Sequence, residues 1–218
     1  HEVGANTFIQ VNSGVCRKLY DRTVKAAAES GCTAAIDCYS GGGLMTAMLA
    51  KTLGKAYGIE IVREAVDCAD GLKSLNKLQN KMSNRCGKVE DILPSVLEEV
   101  DADQCFLVVD PPRKGLSPDV IQALAQMSPR KIAYVSCDPA TLARDVALLK
   151  EQGFRLQKAK AVDMFPRCAH VETVVLLSKG EIDSKRVRAE FSLEDMDMSG
   201  FRKGATYEQI GEHTSELQ

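Results

Sequence analysis

Five times between residues 33 and 153 a short apolar run is followed by a longer stretch with apolar residues at helical spacing. No other feature restricts the fold as much. The runs are TAAIDCY (33–39), KAYGIEIV (55–62), a weaker one near 83–88, QCFLVVD (104–110) and KIAYVSC (131–137). The helical stretches are LMTAMLAKTL, REAVDCADGLKSLNKLQNK, DILPSVLEEV, SPDVIQALAQM and PATLARDVALLKEQG. Ser117 is the expected N-cap of the fourth helix, with Pro118 at its first position, and Gly153 is expected to end the fifth. Repetition of this kind builds a mostly parallel, doubly wound sheet with right-handed crossovers. After residue 153 the rhythm changes. FRLQKAKAVDM and HVETVVLLS are two strands joined by a short link, which predicts an antiparallel pair. The expectation is an α/β, Rossmann-like fold on residues 1–180. Residues 181–218 abandon the pattern, with one weak helix (ATYEQIGEH), and read as a polar, acidic C-terminal extension. No internal repeat is visible.

Composition excludes several classes. The chain has 218 residues, 44% hydrophobic and 27% charged, ordinary for a soluble domain. No apolar run approaches the roughly 20 residues of a membrane span, and no charged-then-apolar leader points to secretion; a cytoplasmic protein is expected. The first residue is His1 rather than Met, so a piece of a longer protein is expected. Eight cysteines include no CxxC pair and no His at ligand spacing, so neither a zinc site nor a disulfide framework is expected. Residues 181–218 carry nine acidic and five basic side chains. Their balance of −4, against −2 for the whole chain, leaves +2 for residues 1–180. So small a surplus permits contact with RNA without holding it tightly.

Ligands of doubly wound sheets bind at the carboxyl ends of the strands. The first strand runs into DCYSGGG (37–43), whose glycines let main chain approach a ligand before a helix N-terminus. It lacks the Lys-Ser/Thr of a phosphate-binding P-loop. The second strand ends at Glu60, 17 residues beyond Gly43, where a carboxylate can accept from both hydroxyls of a ribose. NAD and S-adenosylmethionine both carry that ribose, and these residues leave both open. DPPR (110–113) makes a stiff platform after the fourth strand. Its last residue is Arg113 rather than the stacking aromatic of some amino-group methyltransferases. The fifth strand delivers Cys137 to the start of a helix opened by Asp138 and Pro139. Unpaired helix amides there favour a thiolate, although a buried cysteine is also an ordinary small hydrophobe.

FIQVN (8–12), DCYSGGG, GIE (58–60), DPPRKG (110–115), VSCDPATLARD (135–145) and DMFPRCAHVET (163–173) occur in an order that resembles the RNA 5-methyluridine methyltransferases. The chain looks most like the bacterial members that methylate uracil in 23S ribosomal RNA. The resemblance covers about residues 8–178, and its last two motifs are highly specific. It implies a class I S-adenosylmethionine-dependent fold, with a mostly parallel seven-stranded sheet ending in an antiparallel hairpin. It also implies that Cys137 adds to uracil C6 and that Glu172 removes the C5 proton, covalent catalysis with a separate base. The target base must leave its stack to be reached. Gln10, Tyr39, Glu60 and Asp110 match positions that bind S-adenosylmethionine; Glu90 is a weaker candidate for the adenine end.

Departures are Ser40, where the family usually has Cys, and Cys168, where it usually has Thr close to the base. The N-terminal RNA-binding barrel and intervening RNA-contacting domain of many members are not in this chain, nor are iron–sulfur ligands. Ribosomal RNA is the expected substrate, with transfer RNA as the alternative. Cytosine-C5 methylation is disfavoured because its cysteine sits in a different motif. A non-catalytic nucleoside-binding domain is disfavoured by the intact Cys137 and Glu172 motifs.

Overall fold

The structure is a computed structural model. It describes the main chain of residues 13–162, 172–179 and 188–191, and the side chains of residues 19–160 and 173–179. The described elements are α1 (Ser13–Ala28), β1 (Ala34–Cys38), α2 (Leu44–Leu53), β2 (Ala56–Glu60), α3 (Arg63–Leu75), β3 (Met82–Cys86), α4 (Val89–Leu97), β4 (Cys105–Val109), α5 (Pro118–Met127), β5 (Lys131–Ser136), α6 (Pro139–Glu151), β6 (Phe154–Val162), β7 (Glu172–Lys179) and β8 (Arg188–Phe191). No helix among the described residues is long and apolar enough to cross a membrane.

The strands form one sheet in the order β3-β2-β1-β4-β5-β7-β6-β8. The first five are parallel, and β7 runs antiparallel to both β5 and β6. All seven expected strands are therefore present, mostly parallel and closed by an antiparallel hairpin. An eighth, not expected, comes from the segment read as an extension and lies parallel to β6 at the sheet's edge.

Every residue of β1 and β4 is buried, as expected of parallel strands covered on both faces. Alternate residues face opposite layers. Ile36, Cys38, Leu107, Val109, Ile132 and Tyr134 pack with Leu93 of α4, Leu124 of α5 and Leu149 of α6. Ala35, Phe106, Val108 and Ala133 pack with Ala27 of α1, Leu49 of α2 and Ala69 of α3. Chain order reverses between β1 and β4, which fixes the switch point where such sheets take ligands.

Two differences from the sequence pattern have physical causes. Helix α1 was not expected, because among its described side chains the buried ones form only the narrow row Leu19, Thr23, Ala27, which includes one polar residue. Thr23 satisfies its hydroxyl by donating to the Leu19 carbonyl at 3.1 Å. Helix α3 ends at Leu75 rather than running on to residue 81. Lys77 takes a left-handed φ of 56°. Leu78 N–H then donates back to the Lys73 carbonyl at 3.0 Å and Lys77 N–H to that of Ser74 at 3.2 Å. This pair of bonds is a Schellman stop without its usual glycine; burial of Leu78 holds it closed. The other cap expectations agree: Ser117 accepts from Val120 N–H, and Gly153 has φ 89° just beyond α6.

Gly43 begins α2 at φ 77°. A Cβ there would lie 2.6 Å from Ala69 Cβ and 3.2 Å from Ala69 Cα in α3. Gly71, in α3, has open space around it. Gly43→Ala is therefore expected to destabilise by about 1–3 kcal/mol or more, from backbone strain and overlap together. Gly71→Ala is expected to stabilise by about 0.5–1 kcal/mol. Urea unfolding of both variants checks the pair; equal midpoints would show that α2 and α3 are not in the contact described.

Candidate active site

The ends of β1, β2, β4 and β5 meet at one edge of the sheet, since Cys38 pairs with both Ile59 and Val109, and Val109 with Tyr134. The turn from β1 to α2 starts with Tyr39 at φ 67° and continues through Gly41 at φ 51° to Gly43. A Cβ added at Gly41 or Gly42 would meet nothing within 4 Å, so the turn's main chain faces open space. Glu60 fastens it. One carboxylate oxygen accepts from Gly41 N–H at 2.9 Å, and the other from Val62 N–H at 2.9 Å. A carboxylate has about four acceptor positions, which leaves two for a ligand's hydroxyls. Glu60 is thus an anchor of the loop as well as a candidate ligand, a role the sequence did not suggest.

Beneath the turn, buried Asp37 accepts from Thr46 Oγ1 at 2.6 Å. Burial pushes its carboxyl up to about 7, opposed by the Thr46 hydrogen bonds and helped by the Glu60 charge. Gly58 is required beside it, because a Cβ there would lie 2.9–3.1 Å from Ser40 Oγ, Thr46 Oγ1 and Asn84 Oδ1. Asp37 was missed by the sequence reading, although an acid within TAAIDCY was its signal. Tyr39 packs half-buried against the core. Its hydroxyl is pushed well up by burial first, and then by the Cys38, Glu90 and Asp145 charges. Glu90, in the first turn of α4, is therefore close enough to act on Tyr39.

Asp110 follows β4, its N–H donating to the Cys38 carbonyl at 3.4 Å. Cys137 follows β5 and is partly exposed. Ser136 Oγ accepts from Asp138 N–H at 3.1 Å and donates to the Asp138 carbonyl at 3.0 Å. Asp138 caps α6, accepting from the N–H groups of Ala140 and Thr141 at 3.0 and 2.9 Å. These bonds, that from Thr141 N–H foremost, with a further contribution from Arg113, hold Asp138 below the usual carboxylate range. The amides that the sequence set beside Cys137 are thus taken by its neighbour.

Glu172 is the first residue of β7, and its main chain pairs with Val162. Ser136 pairs with Thr173, so Cys137 and Glu172 each lie one residue beyond a paired position, at the same sheet edge. The side chain of Glu172 lies outside the described residues, as do Gln10, Cys168 and the motif DMFPRCAH. No three His, Cys, Asp or Glu side chains among the described residues are grouped as metal ligands.

Residues 1–180 match the sequence profile of a family described as tRNA (Uracil-5-)-methyltransferase. A Bacillus cereus protein named an uncharacterized RNA methyltransferase is 42% identical over 180 residues, covering 82% of this chain and 38% of that protein. A Clostridium acetobutylicum protein of like name is 39% identical over 81% of this chain and 38% of its own length. The chain thus spans about two fifths of the curated relatives it matches. Among solved structures, Pyrococcus abyssi tRNA (uracil-54, C5)-methyltransferase with S-adenosyl-L-homocysteine superposes with a TM-score of 0.63 at 31% identity, over 79% of this chain and 40% of that one. The N-terminal domain of human METTL16, also with S-adenosyl-L-homocysteine, gives 0.63 at 13% identity over 83% and 75%, a likeness of fold.

The burial of Asp37 sets a pH dependence. Its carboxyl binds a proton more tightly in the folded chain, at about 7, than at the ordinary 3.8. Its contribution to stability is complete below pH 3.8 and is lost as pH rises through about 7. Asp37→Asn stays neutral throughout and lacks that loss. The stability of the natural protein minus that of the variant is expected to fall by up to about 4 kcal/mol between pH 4 and 8. Urea unfolding across that range checks this; a constant difference would mean that Asp37 titrates like a solvated acid.

Proposed function

Because this chain belongs to the RNA uracil-5-methyltransferase family, we propose that it is the catalytic part of an enzyme that methylates C5 of uracil in RNA, with S-adenosylmethionine as methyl donor. The cofactor reading is supported by the open glycine turn and by the acceptor capacity left on Glu60. Tyr39, Glu60 and Asp110 would hold it, with Gln10 from the N-terminal motif. When bound, the cofactor supplies an electrophilic methyl group.

Uracil C5 is a weak nucleophile, and this chain's residues would correct that. The Cys137 thiolate adds to C6, moving the electron pair of the C5–C6 double bond onto C5 and the adjacent C4 carbonyl oxygen. Once C5 carries the methyl group, Glu172 takes the C5 proton, and the electrons of that bond expel the sulfur from C6. The thiolate is restored and a proton has passed to Glu172. The observation that supports this reading is the β5–β7 register, whose last pair, Ser136 with Thr173, is one residue from Cys137 on one strand and from Glu172 on the other. Asp110, on the same edge, would contact uracil as well as cofactor.

Ribosomal RNA is the substrate favoured by the resemblance of the motifs. Transfer RNA is the second reading, favoured by the 31% identity to the Pyrococcus transfer-RNA enzyme. Mass spectrometric mapping of 5-methyluridine in both RNAs, from cells with and without the full-length gene, separates them.

Two further outcomes test the chemistry. Glu60→Ala should weaken binding of S-adenosylmethionine or its demethylated product by about 1–3 kcal/mol, the scale of hydrogen bonds to a charged group; unchanged affinity by calorimetry would remove Glu60 from the ligands. In a chain with its RNA-binding parts, Glu172→Gln should methylate once and remain attached to RNA on denaturing gels. Cys137→Ala should form no conjugate. Normal turnover by Glu172→Gln would move the base elsewhere, and a conjugate in Cys137→Ala would exclude the sulfur adduct.

A further inference from the structure

We propose that Asp145 is a positioning residue, which holds the turn after β4, and with it Asp110, at a set spacing from Cys137. Asp145 lies in α6 and is fully buried. One of its carboxylate oxygens accepts from Leu116 N–H at 2.7 Å and from the Tyr134 hydroxyl at 2.6 Å. The other accepts from Arg144 Nε and Nη2 at 2.8 and 2.7 Å. All four acceptor positions of the carboxylate are thereby used.

The three partners belong to the three segments that carry the candidate chemistry. Tyr134 is in β5, three residues before Cys137, and pairs with Val109 next to Asp110. Leu116 closes the turn that Asp110 opens. Arg144 lies beside Asp145 in α6, the helix that begins after Cys137 and Asp138. Arg144 Nη2 also donates to the Lys114 carbonyl at 2.9 Å and the Leu116 carbonyl at 3.4 Å.

Gly115 confirms how closely the turn sits. Its φ is +76°, and a Cβ there would overlap the Asp145 carboxylate and lie 2.6 Å from Arg144 Nη2. Gly115 N–H donates to the Pro112 carbonyl at 2.8 Å, so the turn is closed on itself as well as seated on the pair. Packing alone would be served by an apolar residue at 145. A carboxylate with four directed donors instead fixes distance and orientation, which packing leaves looser. Tyr134's hydroxyl, pushed well up by burial and by the Asp145 bond, stays a donor at every working pH.

The activity arm rests on the uracil-methylation reading, and the test separates the two. Asp145→Asn keeps shape but replaces one acceptor oxygen by an NH2 group. Whichever way the amide turns, either Arg144 or the Leu116–Tyr134 side loses its acceptor. Three quantities are measured on the full-length protein. Hydrogen exchange of the Arg113, Lys114, Gly115 and Leu116 amides should speed by about tenfold or more, as local opening becomes easier. Affinity for S-adenosylmethionine should fall by no more than a few-fold, since of the candidate cofactor ligands only Asp110 rides on the clamped turn, while Glu60 and the glycine turn are held by other bonds. The rate of conjugate formation with RNA, in a Glu172→Gln background, should fall by about a hundredfold, the scale of an ångström's misplacement. Arg144→Lys, half-exposed and still charged but unable to span both carbonyls, should show the same split more weakly, and decides the matter should Asp145→Asn not fold. Faster exchange with an unchanged conjugate rate overturns the proposal. So does a parallel loss of cofactor affinity, conjugate and folded protein, the mark of a merely structural residue. If the natural protein forms no conjugate, the uracil reading fails; exchange in the variant then decides the clamp alone, and unchanged exchange overturns it.

Discussion

The parallel pairing of β1 with β2 on one side and β4 on the other is the constraint from which the rest follows. Strand β1 is buried on both faces and bonded on both edges, so its direction sets that of every neighbour. Parallel neighbours end together, and the turns that leave them open into one cleft. Glu60, Asp110 and Cys137 are 50 and 27 residues apart in sequence, yet each simply follows the end of its strand. The last turn of topology then does something a parallel strand cannot. Because β7 runs the other way beside β5, its beginning rather than its end reaches this edge, and Glu172 arrives from the opposite chain direction.

Two buried carboxylates frame the cleft and are handled differently. Asp37 is opposed in its burial only by neutral donors, the hydroxyl and N–H of Thr46; its easiest accommodation is to hold a proton. Asp145 is more completely buried but receives two neutral donors and the fork of a guanidinium. Arg144 is itself half in solvent, at 50% side-chain exposure, so only one charge of the pair loses its water. That lowers the desolvation cost that commonly cancels a buried ion pair. The same residue type is therefore accommodated near the β1 turn by holding a proton and near the β4 turn by directed donors on both of its oxygens.

How much of this the sequence disclosed depends on whether a residue acts through its immediate neighbours. Periodicity disclosed the sheet and five helices, and the caps at Ser117 and Gly153, because those signals are local. It missed the end of α3, where Lys77 does what glycine usually does under the pull of Leu78's burial. It missed α1, whose buried row is too small and too polar to register. At the site, Glu60 and Cys137 were legible as strand-end residues, and Tyr39 and Asp110 through the family resemblance of the motifs that hold them. Asp145 was visible within VSCDPATLARD but had no stated role, because its partners Leu116 and Tyr134 lie 29 and 11 residues away. A contact of that length leaves no periodic trace.

The strand–helix junction at Cys137 also needs a different account from the one its sequence invites. A free helix N-terminus would stabilise an anion directly. Here Asp138 occupies the Ala140 and Thr141 amides, and its own charge is held in place by them. Ser136 grips Asp138 from the strand side in both directions. Those bonds make the turn rigid at the residues on both sides of the thiol, while removing the anion site that the helix would have offered it. What the junction supplies to Cys137 is therefore a fixed position at the sheet edge where β4 ends and β7 begins. On the proposed mechanism, a nucleophile that adds to one carbon of a splayed base and then leaves it gains more from that fixed approach than from a nearby amide, because misplacement costs both steps and charge stabilisation would favour the thiolate only while it is free.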